Sequence, residues 1–362
     1  MRMLRPSILG GLLALLGCSP SSPPTVPPPR EERPPPHAPR EIPPLRINHE
    51  GRTLPDVRPP TRPVLFNTPE ADALLSSLQI FPKDNPWNED ISERPVHPDS
   101  GKIIHSIGEK LRFRWNQDMA FILVPPDQPK VPLRMEAPDE SDPGPYPIPA
   151  EAPLEGWPLQ GGPSLERLQR EGEGDRHVIL VDPGGLRLYE LFHVFRTDSG
   201  WKADSAAIFD LASNRLRPDG WTSADAAGLP IFPALVRYDE CARGMVEHAL
   251  RFTVRRSRRA YVYPATHYAS RLKDPELPRM GERFRLRKDF DISRFPPHVQ
   301  AILKGLKKYG MIVADNGIEW AISIAPDSRI QGLESLDDKA IRGSDFEVIV
   351  PTGPDEGPRG KR

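Results

Sequence analysis

Asp225, Asp239 and Glu240 fall within one short stretch of the chain, and Trp221 precedes them among turn-forming residues. Two carboxyl groups flanking a scissile bond are what glycoside hydrolysis needs, about 5–5.5 Å apart for retention and about 6.5–9.5 Å for inversion. An aromatic ring beside them offers a flat face to the apolar side of a sugar. Asp225 can equally serve as the cap of a helical turn over Ser223 to Ala227. A second grouping is Tyr261-Val262-Tyr263-Pro264-Ala265-Thr266-His267-Tyr268. Tyr263 and His267 are candidates for a base and an acid of a polysaccharide lyase, with an arginine neutralising a uronate. An aromatic strand end packed in the core is the plainer alternative. Tyr146 and Trp157, both in the Pro-heavy segment Pro125 to Pro163, are further aromatic candidates for holding substrate.

Asp139-Glu140-Ser141-Asp142 places three carboxylates within four residues. Asp139, Glu140 and Asp142 form an oxygen-rich loop of the kind that can hold Ca²⁺, although the spacing is not that of an EF-hand. Other catalytic signatures are absent. The chain has no Gly-x-Ser-x-Gly elbow, no phosphate-binding Gly-rich loop ending in Lys-Ser/Thr, and no His-Glu-x-x-His.

The elements that must position these residues are mostly strands. His177 to Val181 is an apolar run ended by Asp182-Pro183-Gly184-Gly185, and Leu186 to Phe195 follows with apolar residues on both faces. A turn at Thr197 to Gly200 and a return over Trp201 to Phe209 complete a meander. Further strands are expected at His248–Val254, Ala260–Tyr263, Arg283–Arg287 and Phe346–Val350. Met311–Ala314 and Glu319–Ile324 read as a hairpin around Asn316-Gly317, which makes Asp315 the start of a turn. Helices are expected over Thr68 to Leu78, Pro233 to Arg243 and Pro296 to Tyr309. The pattern predicts a mainly β single domain with packed helices, a β-sandwich that could be jelly-roll-like.

The ends of the chain differ from its middle. Arg2 and Arg5, the apolar run Ile8 to Leu16 and then Leu15-Leu16-Gly17-Cys18 resemble a lipoprotein signal, cleaved before an acylated Cys18. Residues 1–17 are read as signal peptide, 18–63 as stalk, 64–350 as the globular domain and 351–362 as an unstructured tail. The stalk holds 16 of the 47 prolines between Pro20 and Pro63, with few large apolar residues to bury. The expected setting is therefore a bacterial envelope, with a membrane reached through Cys18 and Ser19 resembling an outer-membrane sorting residue. With Cys18 lipidated, Cys241 has no partner and reads as a small buried hydrophobe. Net charge is −1, from 49 basic and 50 acidic residues, so no long-range field favours nucleic acid.

Four phrases are familiar together: Phe81-Pro82-Lys83-Asp84-Asn85-Pro86-Trp87-Asn88, Asp139 to Pro149, Gly220 to Pro230, and Tyr309 to Gly317. They resemble a group of secreted bacterial proteins with no assigned activity. The resemblance spans roughly Phe81 to Val350 and implies an extracellular setting and one continuous domain, but no mechanism. Export, a stalk, a β-rich domain and aromatics beside carboxylates converge on a glycan-active hydrolase or lyase. A non-catalytic glycan-binding or envelope-structural protein is the alternative.

Overall fold

The computed structural model describes residues 46–158, 162–338, 341–351 and 353. The expected signal peptide, Cys18, the expected stalk up to residue 45 and nearly all of the expected tail lie outside the described residues. Residues 46–63, assigned to the stalk by composition, are folded onto the domain. Arg52 and Asn48 reach Glu247 at 3.2 and 2.7 Å, and Glu50 pairs with Lys308 at 2.7 Å. Short polar contacts, which proline content does not reveal, carry the folded boundary back to Arg46. The described residues from Arg46 on form one compact unit.

Fourteen strands make three mixed sheets among the described residues. In chain order they are β1 Val64–Leu65, β2 Arg114–Gln117, β3 Ile122–Leu123, β4 Leu133–Met135, β5 Val178–Asp182, β6 Arg187–Phe192, β7 Phe195–Thr197, β8 Gly200–Ala203, β9 Ser205–Asp210, β10 Leu250–Val254, β11 Arg283–Leu286, β12 Met311–Asn316, β13 Ala321–Ile324 and β14 Phe346–Val348. A five-stranded sheet runs β1-β3-β5-β6-β9, a six-stranded sheet β14-β11-β12-β10-β13-β2, and a small one β4-β8-β7. The first two contribute to one large core, in which Ile179, Val181 and Leu188 join Phe252, Phe284, Met311 and Ile322. The other face of β5 and β6, with Val178, Leu180, Tyr189 and Leu191, closes a second core with Trp201 and Ala203 of β8. Burial on both sides explains the unbroken apolar runs.

The expected meander is β5-β6-β9, with β7 and β8 budding from it as a separate hairpin. The hairpin expected at Asn316-Gly317 does not form. β10 lies between β12 and β13, parallel to the first and antiparallel to the second. The link instead wraps over the end of β10: Gly317 N donates to Val254 O at 2.9 Å and Trp320 N to Thr253 O at 3.1 Å. A Cβ at Gly317 would meet the Thr253 side chain at 3.2 Å, so the glycine serves a close approach across strands.

Helix α1 (Pro69–Ser76) begins at Thr68, whose hydroxyl accepts from Ala71 N. Helices α2 (Ser100–Ile107) and α3 (Leu165–Arg170) have no counterpart in the sequence reading. The helix expected from Pro233 shrinks to α4 (Tyr238–Arg243), because Phe232–Ala234 takes a separate 3-10 turn. Helix α5 (Pro297–Lys308) buries Val299, Ile302, Leu303 and Leu306 and carries Lys304, Lys307 and Lys308 on its other face. A short α6 (Glu334–Asp338) precedes β14. No helix among the described residues is long and apolar enough to cross a membrane.

Candidate functional site

Along β10, Leu250, Phe252 and Val254 enter the main core. Strand alternation therefore turns Arg251 to the opposite face of the sheet, with Ser323 of β13 beside it. A buried guanidinium needs partners, and it finds them in the loop from Trp221 to Gly228. Arg251 donates from Nε and Nη2 to the two carboxylate oxygens of Asp225, at 2.8 and 2.7 Å, and from Nη1 to Ser323 Oγ at 2.5 Å. Asp225 has no exposed surface and Arg251 only 4%. The loop is held by backbone contacts: Thr266 N and His267 N donate to Ala227 O, and Ala227 N donates to Ala314 O. Gly228 has φ +72°, and a Cβ there would meet Thr266 Oγ1 at 2.0 Å, so only glycine lets the loop approach this closely.

Around this ion pair are five more ionisable groups. Asp315, from β12, is half-buried and lies in hydrogen-bonding contact with Asp225. Burial, reinforced by the neighbouring Asp225 charge, pushes its carboxyl up to about 7. Asp118, in the turn between β2 and β3, is also half-buried, and its enclosed Oδ1 finds no hydrogen bond within the protein. Burial and the charge of Glu155 raise it to about 6. His177 bridges Glu155, 2.9 Å from its Nδ1, and Ala224 O, 2.9 Å from its Nε2. Burial alone would lower that imidazole, but Glu155 overrides it and holds it up at about 9. Glu190 sits wholly buried on β6, accepting from Ile231 N and Phe232 N at 2.8–2.9 Å. Its burial outweighs these bonds and raises it to about 7.

Asp118 and Asp315 both act on Arg251. Each reaches partway to the surface, and each changes protonation close to neutral pH. Groups of this kind can give and take protons in a reaction near pH 7.

No protein-family model, curated protein or solved structure matches this chain. Its functional reading therefore rests on the geometry of these residues.

Of the residues singled out in the sequence, Asp225 and His267 come together. His267 Nδ1 lies 2.9 Å from Ala226 O, next to Asp225 in the loop. Asp239 and Glu240 have partners of their own on α4. Asp239 pairs with Arg243 at 2.7 Å, and Glu240 with Arg237 at 2.8 Å and His248 at 3.0 Å. Burial would raise Glu240, but the Arg237 and His248 charges hold it down at about 2. The carboxyl in contact with Asp225 is thus Asp315, and neither Asp239 nor Glu240 takes that place. Tyr263 is 6% exposed and Tyr146 fully buried, the latter donating to Asp142 O and packed edge-on against Tyr189. Tyr146 is a core residue, out of reach of any substrate. Trp157 is half-buried against Phe66, and Trp221 lies under the Arg217 guanidinium at 5.5 Å.

The acidic loop is also taken up internally. Asp142 pairs with Arg217 at 2.5 Å and accepts from Ile208 N, and Glu140 accepts from Thr222 N. Asp139 is exposed. Among the described residues no three His, Cys, Asp or Glu side chains are grouped as a metal site. Cys241 is buried, which raises its thiol far above the reactive range. A groove of about 420 Å³ runs past Arg187, Asp210, Arg215 and Arg217. A second, of about 240 Å³, shares Arg215 to Pro218 and ends at Thr266, next to His267.

The residues that sequence reasoning passed over are Asp118, Glu155, His177, Glu190, Arg251 and Asp315. Glu190 and Arg251 carried a usable signal. Each interrupts an apolar strand, and a charge there requires a partner brought from elsewhere.

Proposed function

We propose that this chain is an exported, lipid-anchored envelope protein whose folded domain cleaves glycans, with carboxyl groups as acid and base. The observation that carries the reading is Asp315, a half-buried carboxyl in contact with buried Asp225 and titrating near pH 7. Such a group can protonate the leaving oxygen of a glycosidic bond. Asp118, raised to about 6, loses its proton just below neutrality and supplies a base within the same field of Arg251. Arg251 holds both carboxylate oxygens of Asp225, and the neighbouring Asp225 charge in turn raises the carboxyl of Asp315. The lipobox-like run before Cys18 and the resemblance to secreted bacterial proteins support the extracytoplasmic setting. A β-sandwich of the five- and six-stranded sheets accounts for the core they share.

A second reading, a non-catalytic glycan-binding protein, is favoured by the rings of Tyr261, Tyr268 and His267. They lie nearly parallel, Tyr268 at 6.3 Å and 19° from Tyr261 and at 5.3 Å and 8° from His267, and all three are half-buried.

The two readings separate on incubation of the purified protein and its Asp315→Asn variant with plant, algal and bacterial polysaccharides and peptidoglycan, followed by mass spectrometry of released oligosaccharides. Release by the parent and not by the variant is expected. Equal release by both would sink the role of Asp315. Retention on a glycan without release by either would leave the binding protein.

A further inference from the structure

We infer that the surface bordering Asp315 holds an acidic polysaccharide, one bearing uronate carboxylates, so that the substrate of the proposed site is an anionic glycan. The inference rests on the glycan reading above and adds the charge class.

The net charge of −1 hides a local concentration of cations. Residues 255–260 and 268–278 lie side by side, joined by Arg259 N to Leu272 O at 2.6 Å, Arg258 N to Pro278 O at 2.9 Å and Arg258 Nη1 to Pro275 O at 3.2 Å. Arg256, Arg259, Arg271 and Lys273 are carried by these two adjoining segments. All four are exposed and, among the described residues, none forms an ion pair. Arg255 and Arg279, by contrast, are paired with Glu319 and Glu282. The acids of the same loop are Asp274 and Glu276, and Asp274 is turned onto the backbone N–H of Glu276 at 3.0 Å.

The cations border the three stacked rings. The Arg259 guanidinium lies 5.3 Å over Tyr268, and its Nε donates to the Tyr268 hydroxyl at 3.2 Å. The patch is also fastened to the candidate site. Ser257 Oγ donates to Asn316 Oδ1 at 2.8 Å and Asn316 Nδ2 to Ala269 O at 3.5 Å, one residue from Asp315. Flat rings suit the apolar faces of pyranose units, and guanidinium groups suit carboxylates. Leu272 is the one large apolar side chain this loop exposes, at 40%, which is little to insert into a lipid surface.

The test uses the full chain carrying Cys18→Ser, so that no acyl group attaches it to lipid. Its electrophoretic mobility is measured in gels containing polygalacturonate, alginate or neutral dextran. Retardation by the polyuronates, weakened by salt and absent with dextran, is expected. The surface triple variant Arg256→Gln/Arg271→Gln/Lys273→Gln, with unchanged circular dichroism, should lose about tenfold in affinity. Equal retardation by dextran would overturn the charge class and leave the glycan reading standing. No retardation by any glycan would overturn both. Tighter binding to single-stranded oligonucleotides or to phosphatidylglycerol vesicles than to polyuronate, lost in the triple variant, would assign the patch to that partner instead.

Discussion

The carboxyl of Asp315 touches that of Asp225, and Asp225 is itself gripped at both oxygens by Arg251. The three form a graded series: a buried cation, a buried anion and a half-buried acid. Removing the middle member strands the cation. Asp225→Asn should therefore cost about 3–5 kcal/mol of stability, because Arg251 stays buried without its counter-charge. Asp315→Asn keeps a donor toward Asp225 and should change stability far less. If Asp315 is the acid, the same variant should lower turnover by about 10²–10⁴-fold. Chemical denaturation of both variants checks the ranking, and Asp315→Asn proving the less stable would refute it.

Stability should fall as pH rises from the acid side through neutrality. Asp118, Asp315 and Glu190 have carboxyls raised to about 6, 7 and 7, and His177 is raised to about 9. A group with a raised folded value stabilises fully below its unfolded value and stops doing so as pH passes the folded one. All four therefore weaken the fold between about pH 4 and 9. Glu240, held at about 2, and Glu155, held low by His177, act oppositely: their contributions are present above the ordinary glutamate value and are lost as pH falls. The melting temperature should peak near pH 5. A melting temperature that climbs steadily from pH 5 to pH 8 would contradict this assignment.

Glu190 fastens the Ile231–Phe232 turn to β6 through two backbone N–H groups. Glu190→Gln retains an acceptor oxygen and gives up a carboxyl that titrates near pH 7, so part of the alkaline loss of stability should disappear. Glu190→Leu leaves both N–H groups buried and unpaired, at a cost of about 1–3 kcal/mol each. Thermal melts of the pair at pH 5 and pH 8 separate the two effects.

Local features of the fold were legible. Thr68 and Pro69 open α1, Pro297 and Gly310 bound α5, and the apolar runs around Val178 and Leu188 are strands. Partnership between distant segments was not. Asn316-Gly317 fits a hairpin turn locally, yet Phe252 and Thr253 of β10 occupy the place between its arms. The same limit applies to the site. Asp225 drew notice through nearby Trp221, Asp239 and Glu240, but the fold supplies its partners from β10 and β12, 26 residues away for Arg251. Sequence proximity favoured Asp239 and Glu240, which find Arg243, Arg237 and His248 nearer at hand.

The proposed lipid anchor makes a separate prediction. If Cys18 is acylated, Cys18→Ser should move the protein from the membrane fraction to the soluble fraction, since no described helix offers another span. Unchanged fractionation on ultracentrifugation would dispose of the lipoprotein assignment while leaving the domain's chemistry untouched.

Gly310 joins α5 to β12 and so fixes where β12, and with it Asp315, enters the sheet. Its φ is +70°, and a Cβ there would lie 2.1 Å from Phe284 O of the neighbouring strand and 2.7 Å from Ile91. The first of these atoms is backbone within the β11–β12 ladder, so it cannot swing aside as a side chain would. Gly310→Ala combines a left-handed backbone conformation with a direct clash and should cost about 3 kcal/mol or more. Gly244, which ends α4 at φ +91° with nothing within 4 Å of a Cβ, carries the conformational strain alone. Gly244→Ala should cost about 1 kcal/mol. Denaturation midpoints for the two variants isolate the clash, and near-equal losses would show that β12 can shift to admit a methyl group.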